Sequence, residues 1–286
     1  MGPSRWARSG EAPGPGSSRH VSWRFVDRQD FQARVNEHIA DSLERGHWVQ
    51  YVGDAPHEQL RDELSALEVG DRLLARGGWG VSPVDDFYRF RGADRVVDPG
   101  RSVAVRIDEI EHALEAGFTG LRIVADATAV VRSPEQVEAF ARYEYLLDQA
   151  LTTLPAGALC AHDSARVDHD SAAGLACLHP VTGPDPTPFN LYAERGASFS
   201  LAGQLDVGCR ELMVLTLGRI ESYLAGPQLV VHGGHLEFID HRALLDLADL
   251  AERIGADKMV LRTNLRLAKR VCDVLGDDRI AVEVGG

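Results

Sequence analysis

Leu159-Cys160-Ala161-His162-Asp163 lies within residues 157–180, and how it folds decides the architecture of the first two-thirds of the chain. An apolar approach, Ala158 and Leu159, runs into a thiol, an imidazole and a carboxylate. Side chains of an extended segment alternate faces, so Cys160 and His162 are expected to point the same way. In a parallel sheet the carboxyl end of such a strand is where ligands are expected. A second histidine, His179, precedes Pro180, which fixes the backbone at the edge of a loop.

Outward from this strand the pattern alternates. Residues 21–26 read as a first strand, and Phe31, Val35, Ile39 and Leu43 give the next segment a helical stripe ended by Gly46. Residues 48–52 read as a second strand, residues 58–67 as a helix, and Leu73-Leu74 as a short strand. An irregular stretch through Trp79, Pro83 and Tyr88 follows, then a helix over 103–116 and a strand over 121–125. Ser133, Pro134 and Gln136 mark a capped helix start. Phe140, Leu147, Ala150, Leu151 and Leu154 form that helix's apolar stripe, and Glu144 falls on the same face. A carboxylate there needs a partner, and Arg122, which interrupts the neighbouring strand, is the expected one. Strands alternating with helices predict a parallel sheet covered on both faces, an α/β fold.

At 286 residues the chain suits two domains. Residues 1–19, rich in Gly, Pro, Ser and Arg, are expected to form a disordered tail rather than a signal peptide. The first domain is expected over 20–181, a Pro-rich linker over 182–188, and a second domain over 189–286. A net charge of -13 argues against nucleic acid or an anionic membrane as partner. No stretch has the roughly 18 unbroken apolar residues of a membrane span, so a cytoplasmic protein is expected. The four cysteines form no C-x-x-C pair and read as reduced, buried thiols. Lys258 and Lys269 are the only lysines, so none is present earlier for a phosphate-binding loop.

In the last third, strands are expected over 189–192, 198–205, 229–231, 259–261 and 280–284, with helices over 209–224, 244–254 and 265–275. With Leu201-Ala202-Gly203-Gln204-Leu205-Asp206 and Phe238-Ile239-Asp240-His241-Arg242-Ala243-Leu244, this order resembles a STAS domain, the fold of bacterial anti-sigma factor antagonists. The resemblance implies no catalysis. It implies binding of an anti-sigma factor or kinase, or another STAS-binding protein, through Asp206, Asp240, His241 and Arg242. Phospho-switched members carry Ser or Thr after the aspartate; here His241 stands there, so a phosphate cannot be added. His232-Gly233-Gly234-His235 is expected to be a flexible turn with solvated imidazoles.

His20, residues 46–53, Gly117-Phe118-Thr119-Gly120-Leu121-Arg122, Tyr143-Glu144, Leu159-Cys160-Ala161-His162-Asp163 and Leu178-His179-Pro180 together resemble the MEDS domain. That family is a proposed sensory module for small hydrocarbon derivatives, and the resemblance spans about residues 20–181. It places the family's His and Cys signature on His20, Cys160 and His179. The strand-loop-helix-strand opening also resembles a degenerate RecA-type ATPase core. The loop Asp27-Arg28-Gln29-Asp30 has neither the glycine nor the lysine of a phosphate grip, so ATP hydrolysis is not expected.

The expected ligand site gathers His20, Trp79, Tyr88, Arg122, Asp126, Glu144, Cys160, His162, Asp163 and His179 around a small organic ligand. No metal or cofactor is expected, although His20, Cys160, His162 and His179 are of ligating type. Two alternatives stand beside the sensor: a thiol hydrolase or transferase with Cys160 as nucleophile, His162 or His179 as base and Asp163 orienting, or a scaffold without ligand.

Overall fold

The structure is a computed structural model that describes residues 19–285. The expected tail, apart from Arg19, lies outside the described residues. The first unit runs β1 (His20–Phe25), α1 (Arg28–Arg45), β2 (Trp48–Gly53), α2 (His57–Ser65), α3 (Gly70–Arg76) and β3 (Trp79–Pro83). It continues through α4 (Val84–Phe87), a small hairpin β4 (Phe90–Arg91) and β5 (Val96–Val97), α5 (Pro99–Glu115), β6 (Leu121–Asp126) and α6 (Pro134–Leu151). It closes with β7 (Ala156–Asp163), α7 (His169–Ala176) and β8 (Val181–Gly183).

Six strands form one parallel sheet in the order β3-β2-β6-β7-β1-β8. Period-two alternation divides its side chains between two cores. Leu121, Ile123, Ala158 and Cys160 face one core with Phe140 and Leu147 of α6. Val21, Val49, Val124, Leu159 and Ala161 face the other with Phe31, Val35 and Ile39 of α1. Helix ends follow their caps. Asp27 and Ser133 accept the amides of Asp30 and Gln136, and Gly46 ends α1 in the left-handed conformation, which costs glycine least.

Three expectations about this unit are corrected. Leu73 and Leu74 lie in helix α3, bracketed by Gly70 and Gly77, and not in a strand. The stretch from Trp79 is the edge strand β3, where Pro83 ends the strand without breaking an interior ladder. Residues 181–183 pair with β1, so part of the expected linker is sheet.

The second unit runs β9 (Phe189–Tyr192), β10 (Phe199–Leu205), α8 (Arg210–Ile220), β11 (Gln228–Ile239), α9 (His241–Arg253), β12 (Lys258–Thr263), α10 (Arg266–Leu275) and β13 (Ile280–Val284). Its mixed five-stranded sheet has the order β13-β12-β11-β10-β9, with β9 antiparallel at one edge. His232 and His235 lie within β11, paired to Ser200 and Ala202, and not in a turn. His232 Nδ1 is 3.3 Å from Glu194 Oε1. Among the described residues no helix is long and apolar enough to cross a membrane.

The two units share buried contacts. Arg219 of α8 donates to Glu138 of α6 at 2.8 Å and to the Gly174 carbonyl of α7 at 2.8 Å. The Leu191 amide donates to the Cys177 carbonyl at 2.7 Å. Apolar residues of both units belong to one continuous core.

Candidate functional site

Four side chains converge between the sheet and α6. His20 opens β1, Cys160 sits in the middle of β7 opposite Ser22, Glu144 comes from α6, and His179 follows α7. All four are buried. Glu144 Oε2 is their common point: His20 Nε2 is 2.9 Å away, the Cys160 thiol 3.3 Å and His179 Nε2 3.5 Å. The two imidazole rings lie 4.1 Å apart. This cluster lies beneath a helix on the sheet face, not beyond the carboxyl ends of the strands as the opening stretch suggested.

The ring nitrogens facing away from the centre are tied down. His20 Nδ1 lies 3.1 Å from Asp148 Oδ1, and His179 Nδ1 donates to the Leu175 carbonyl at 3.0 Å. Burial opposes a charge on His20, but its contacts with Asp148, Cys160 and Glu144 outweigh that and raise its pKa well above the ordinary 6.5. Burial also works against the Glu144 carboxylate, yet His179 and His20 hold its pKa well below the usual range. Burial, aided by the Glu144 charge, pushes the Cys160 thiol up to about 12. Burial and the neighbouring His20 charge lower His179.

Cys160 and His162 share a face of β7, and His162 stands edge-on to Phe140 at 5.9 Å. Burial takes His162 down to about 4. Tyr88 joins this wall, edge-on to Tyr143 at 5.3 Å and to Phe140 at 5.7 Å. Burial, with Tyr143, Cys160 and Glu144 nearby, raises the Tyr88 phenol well above 10.

Four expected residues stand elsewhere. Arg122 does not meet Glu144. It shares the α1 face of β6 with Val124, crosses Gly157 and pairs with Asp41 at 3.1 Å and Ser42 at 3.3 Å. A Cβ at Gly157 would lie 2.4 Å from Arg122 Nη1, so glycine makes that passage possible. Trp79 is half-buried at the sheet edge, packed against the α1-side core with Arg61 over its ring. Asp126 accepts from the Thr128 amide and hydroxyl at 3.1 and 2.6 Å. Asp163 accepts from the Ala165 amide at 2.9 Å. Both carboxylates at the strand ends are engaged in local turns.

Three neighbours were not legible as site residues. Asp148 lies one helical turn beyond Glu144, a spacing that puts both carboxylates on one face of α6. Tyr143 completes the aromatic wall. Arg106 of α5 is buried with its guanidinium 3.5 Å from the Phe87 ring centroid. Its Nη2 donates to Glu109 at 2.8 Å, while Nε and Nη1 have no hydrogen-bond partner among the described residues. The Arg106 charge acts on both the Tyr88 and Tyr143 phenols.

In the second unit Asp240 Oδ1 accepts the Ala243 amide at 2.8 Å and caps α9, leaving His241 and Arg242 exposed in its first turn. Asp206 is exposed, and its Oδ1 accepts the Gly208 amide at 2.8 Å.

The turn after β1 cannot cradle a phosphate. The Val26 and Asp30 amides are taken by the carboxylates of Asp30 and Asp27, and the Phe31 amide by the Asp27 carbonyl. A parallel α/β sheet with this blocked turn and a sealed His/Cys/carboxylate centre defines a domain that carries its chemistry inside its core. The chain belongs to the MEDS family, the methanogen/methylotroph, DcmR sensory domain, whose match covers residues 19–180. Its role is therefore sensory. No curated protein matches the chain.

Proposed function

We propose that the MEDS domain binds a small, oxygen- or halogen-bearing hydrocarbon derivative beneath α6, and that residues 189–286 act as a STAS-like module reporting the bound state to a protein partner. The carrying observation is a group of buried polar atoms with no partner among the described residues: Arg106 Nε and Nη1, His162 Nε2 and Glu144 Oε1. Each such atom costs about 1–3 kcal/mol when buried without a partner, and a ligand that supplies one recovers that cost. Tyr88, Phe140 and Tyr143 supply an apolar wall beside them.

Binding without turnover accords with the chemistry of Cys160. In the metal-free site a thiol pushed up to about 12 by burial is protonated at neutral pH and a poor nucleophile. Asp163, the orienting group of a thiol hydrolase, holds the Ala165 amide instead. The strand and helix order from β9 to β13 supports the STAS-like reading, as does the capped α9 with His241 and Arg242 facing solvent. The partner on this reading is an anti-sigma factor or kinase, engaged without a phospho-switch because no hydroxyl follows Asp240.

Thermal unfolding of the full chain with a panel of short-chain alcohols, carboxylates, amines and haloalkanes tests the ligand site. At least one compound is expected to raise the melting temperature of the wild type and to lose that effect in Arg106→Gln. A panel without effect, or an effect undiminished in Arg106→Gln and Tyr143→Phe alike, contradicts the proposal.

A further inference from the structure

We infer that His20, Glu144, Cys160 and His179 form a binding site for a divalent transition-metal ion of the zinc class. The four donor atoms all lie within 4.8 Å of one another. Arms of about 2.0–2.3 Å around a tetrahedral ion give donor–donor edges of about 3.3–3.7 Å. Three of the distances fall in that range: Cys160 Sγ to Glu144 Oε2 3.3 Å, His179 Nε2 to Glu144 Oε2 3.5 Å and Cys160 Sγ to His20 Nε2 3.7 Å. A fourth of the six pairs, His20 Nε2 to Glu144 Oε2, is shorter at 2.9 Å.

The Leu175 carbonyl can only accept, so His179 Nδ1 bears a proton, and a neutral ring then presents a bare lone pair at Nε2. That lone pair faces Glu144 Oε2, another acceptor, at 3.5 Å. His20 shares the anchoring but not the bare lone pair: Nδ1 is held by the Asp148 carboxylate, and Nε2 turns its proton to Glu144, where an ion would replace it. Acceptors directed at acceptors in a buried space call for a proton or a cation between them. Metal-ligating histidines are held in this way, with the far nitrogen donating to a carboxylate or carbonyl.

Charge and donor type select the ion. A thiolate and a carboxylate supply two negative charges, which balance a divalent cation and leave the buried site neutral. Entry of the ion displaces two protons to solvent, one from the Cys160 thiol and one from His20 Nε2. Sulfur and imidazole donors favour zinc, cobalt or iron over magnesium or calcium. With all four positions filled by protein, the ion is a structural one that ties β1, β7, α6 and the segment after α7 together. Among the described residues no other group of three or more such side chains converges in this way.

The inference rests on the reading above only in treating this place as the sensory site; the ion is measured without organic ligand. Full-length protein stripped by a chelator is titrated anaerobically with Co2+, then with Zn2+. One Co2+ per chain is expected, with visible bands of tetrahedral intensity and a thiolate-to-cobalt charge-transfer band, both abolished by Zn2+. Cys160→Ser should lose the charge-transfer band, and Asp148→Asn should weaken binding about 10–100-fold while keeping the wild-type spectrum. Folded wild-type protein that retains neither ion, or shows only the weak spectrum of six-coordinate cobalt, overturns the inference whatever the variants do. Charge transfer persisting in Cys160→Ser does the same. A bound ion with no response to the short-chain panel supports the metal site and removes the sensory reading; a panel response without a bound ion does the reverse.

Discussion

Asp148 holds His20 and, through its second oxygen, the other unit of the protein. Its Oδ1 lies 3.1 Å from His20 Nδ1, and its Oδ2 accepts the Ala193 amide, just past β9, at 2.6 Å. His179 has a parallel link, its carbonyl accepting from Asn190 of β9 at 2.8 Å. His179 is thus one hydrogen bond from the edge strand of the second sheet, and His20 is two, through Asp148, from the residue that follows it. A change at the cluster has a direct route to β9 that bypasses the Pro-rich connection.

Removing that carboxylate should be costly. Asp148→Ala leaves His20 Nδ1 and the Ala193 amide without partners, a loss of about 2–4 kcal/mol. Urea unfolding of the full chain measures it, and a loss below about 0.5 kcal/mol would show that water replaces the carboxylate at no cost.

Cys160 should resist alkylation in the chelator-treated, folded protein. Relative to an ordinary thiol near 8.5, a pKa of about 12 leaves more than about a thousandfold less thiolate. Iodoacetamide labelling at neutral pH followed by peptide mass spectrometry should find Cys160 unmodified in folded protein and modified in denaturant. Rapid, selective labelling of the folded chain would favour the nucleophile alternative.

Acid should destabilise the protein through His38 on α1. This ring is buried, and burial followed by the charges of Arg122 and Arg34 takes its pKa down to about 3, opposed only by Asp41. The unfolded chain binds the proton near 6.5, so the unfolded state gains protons first as pH falls. The stability attached to neutral His38 is complete above about pH 6.5 and is lost progressively toward pH 3, reaching about 2 kcal/mol at pH 5. His38→Leu should therefore lose less stability than the wild type between pH 7 and pH 5 in matched urea titrations. Equal losses would mean that the ring finds water in the folded state.

Asp240 and His241 should separate folding from partner binding. Asp240→Ala deletes the cap of α9 and should cost about 0.5–2 kcal/mol. His241→Glu, on an exposed ring, should leave stability within about 0.5 kcal/mol while weakening capture of an anti-sigma partner. Unchanged capture by His241→Glu would place the contact surface elsewhere.

The sheet was legible because its strands alternate cleanly, and the shared face of Cys160 and His162 followed from period two alone. The same alternation held the correction to Arg122: it is in phase with Val124, which faces α1, and out of phase with Ile123, which faces α6. Glu144 could be placed on the buried face of its helix, but its partners come from β1 and from the segment after α7. Such long-range meetings have no local signature. Leu73-Leu74 misled because flanking glycines bracket a short helix as readily as a strand. Asp126 and Asp163 look functional at strand ends, yet turns consume carboxylates there. Arg106 was unmarked because a buried arginine on an amphipathic helix reads as one more exposed charge.

Amide exchange of the full chain, read by mass spectrometry with and without each compound of the short-chain panel, tests whether ligand binding beneath α6 reaches the second unit. At least one compound should slow exchange both along α6 around Glu144 and at residues 191–193 in the second unit. Exchange unchanged by every compound, or slowed around α6 while residues 191–193 stay as they were, would contradict a sensory site coupled through Asp148.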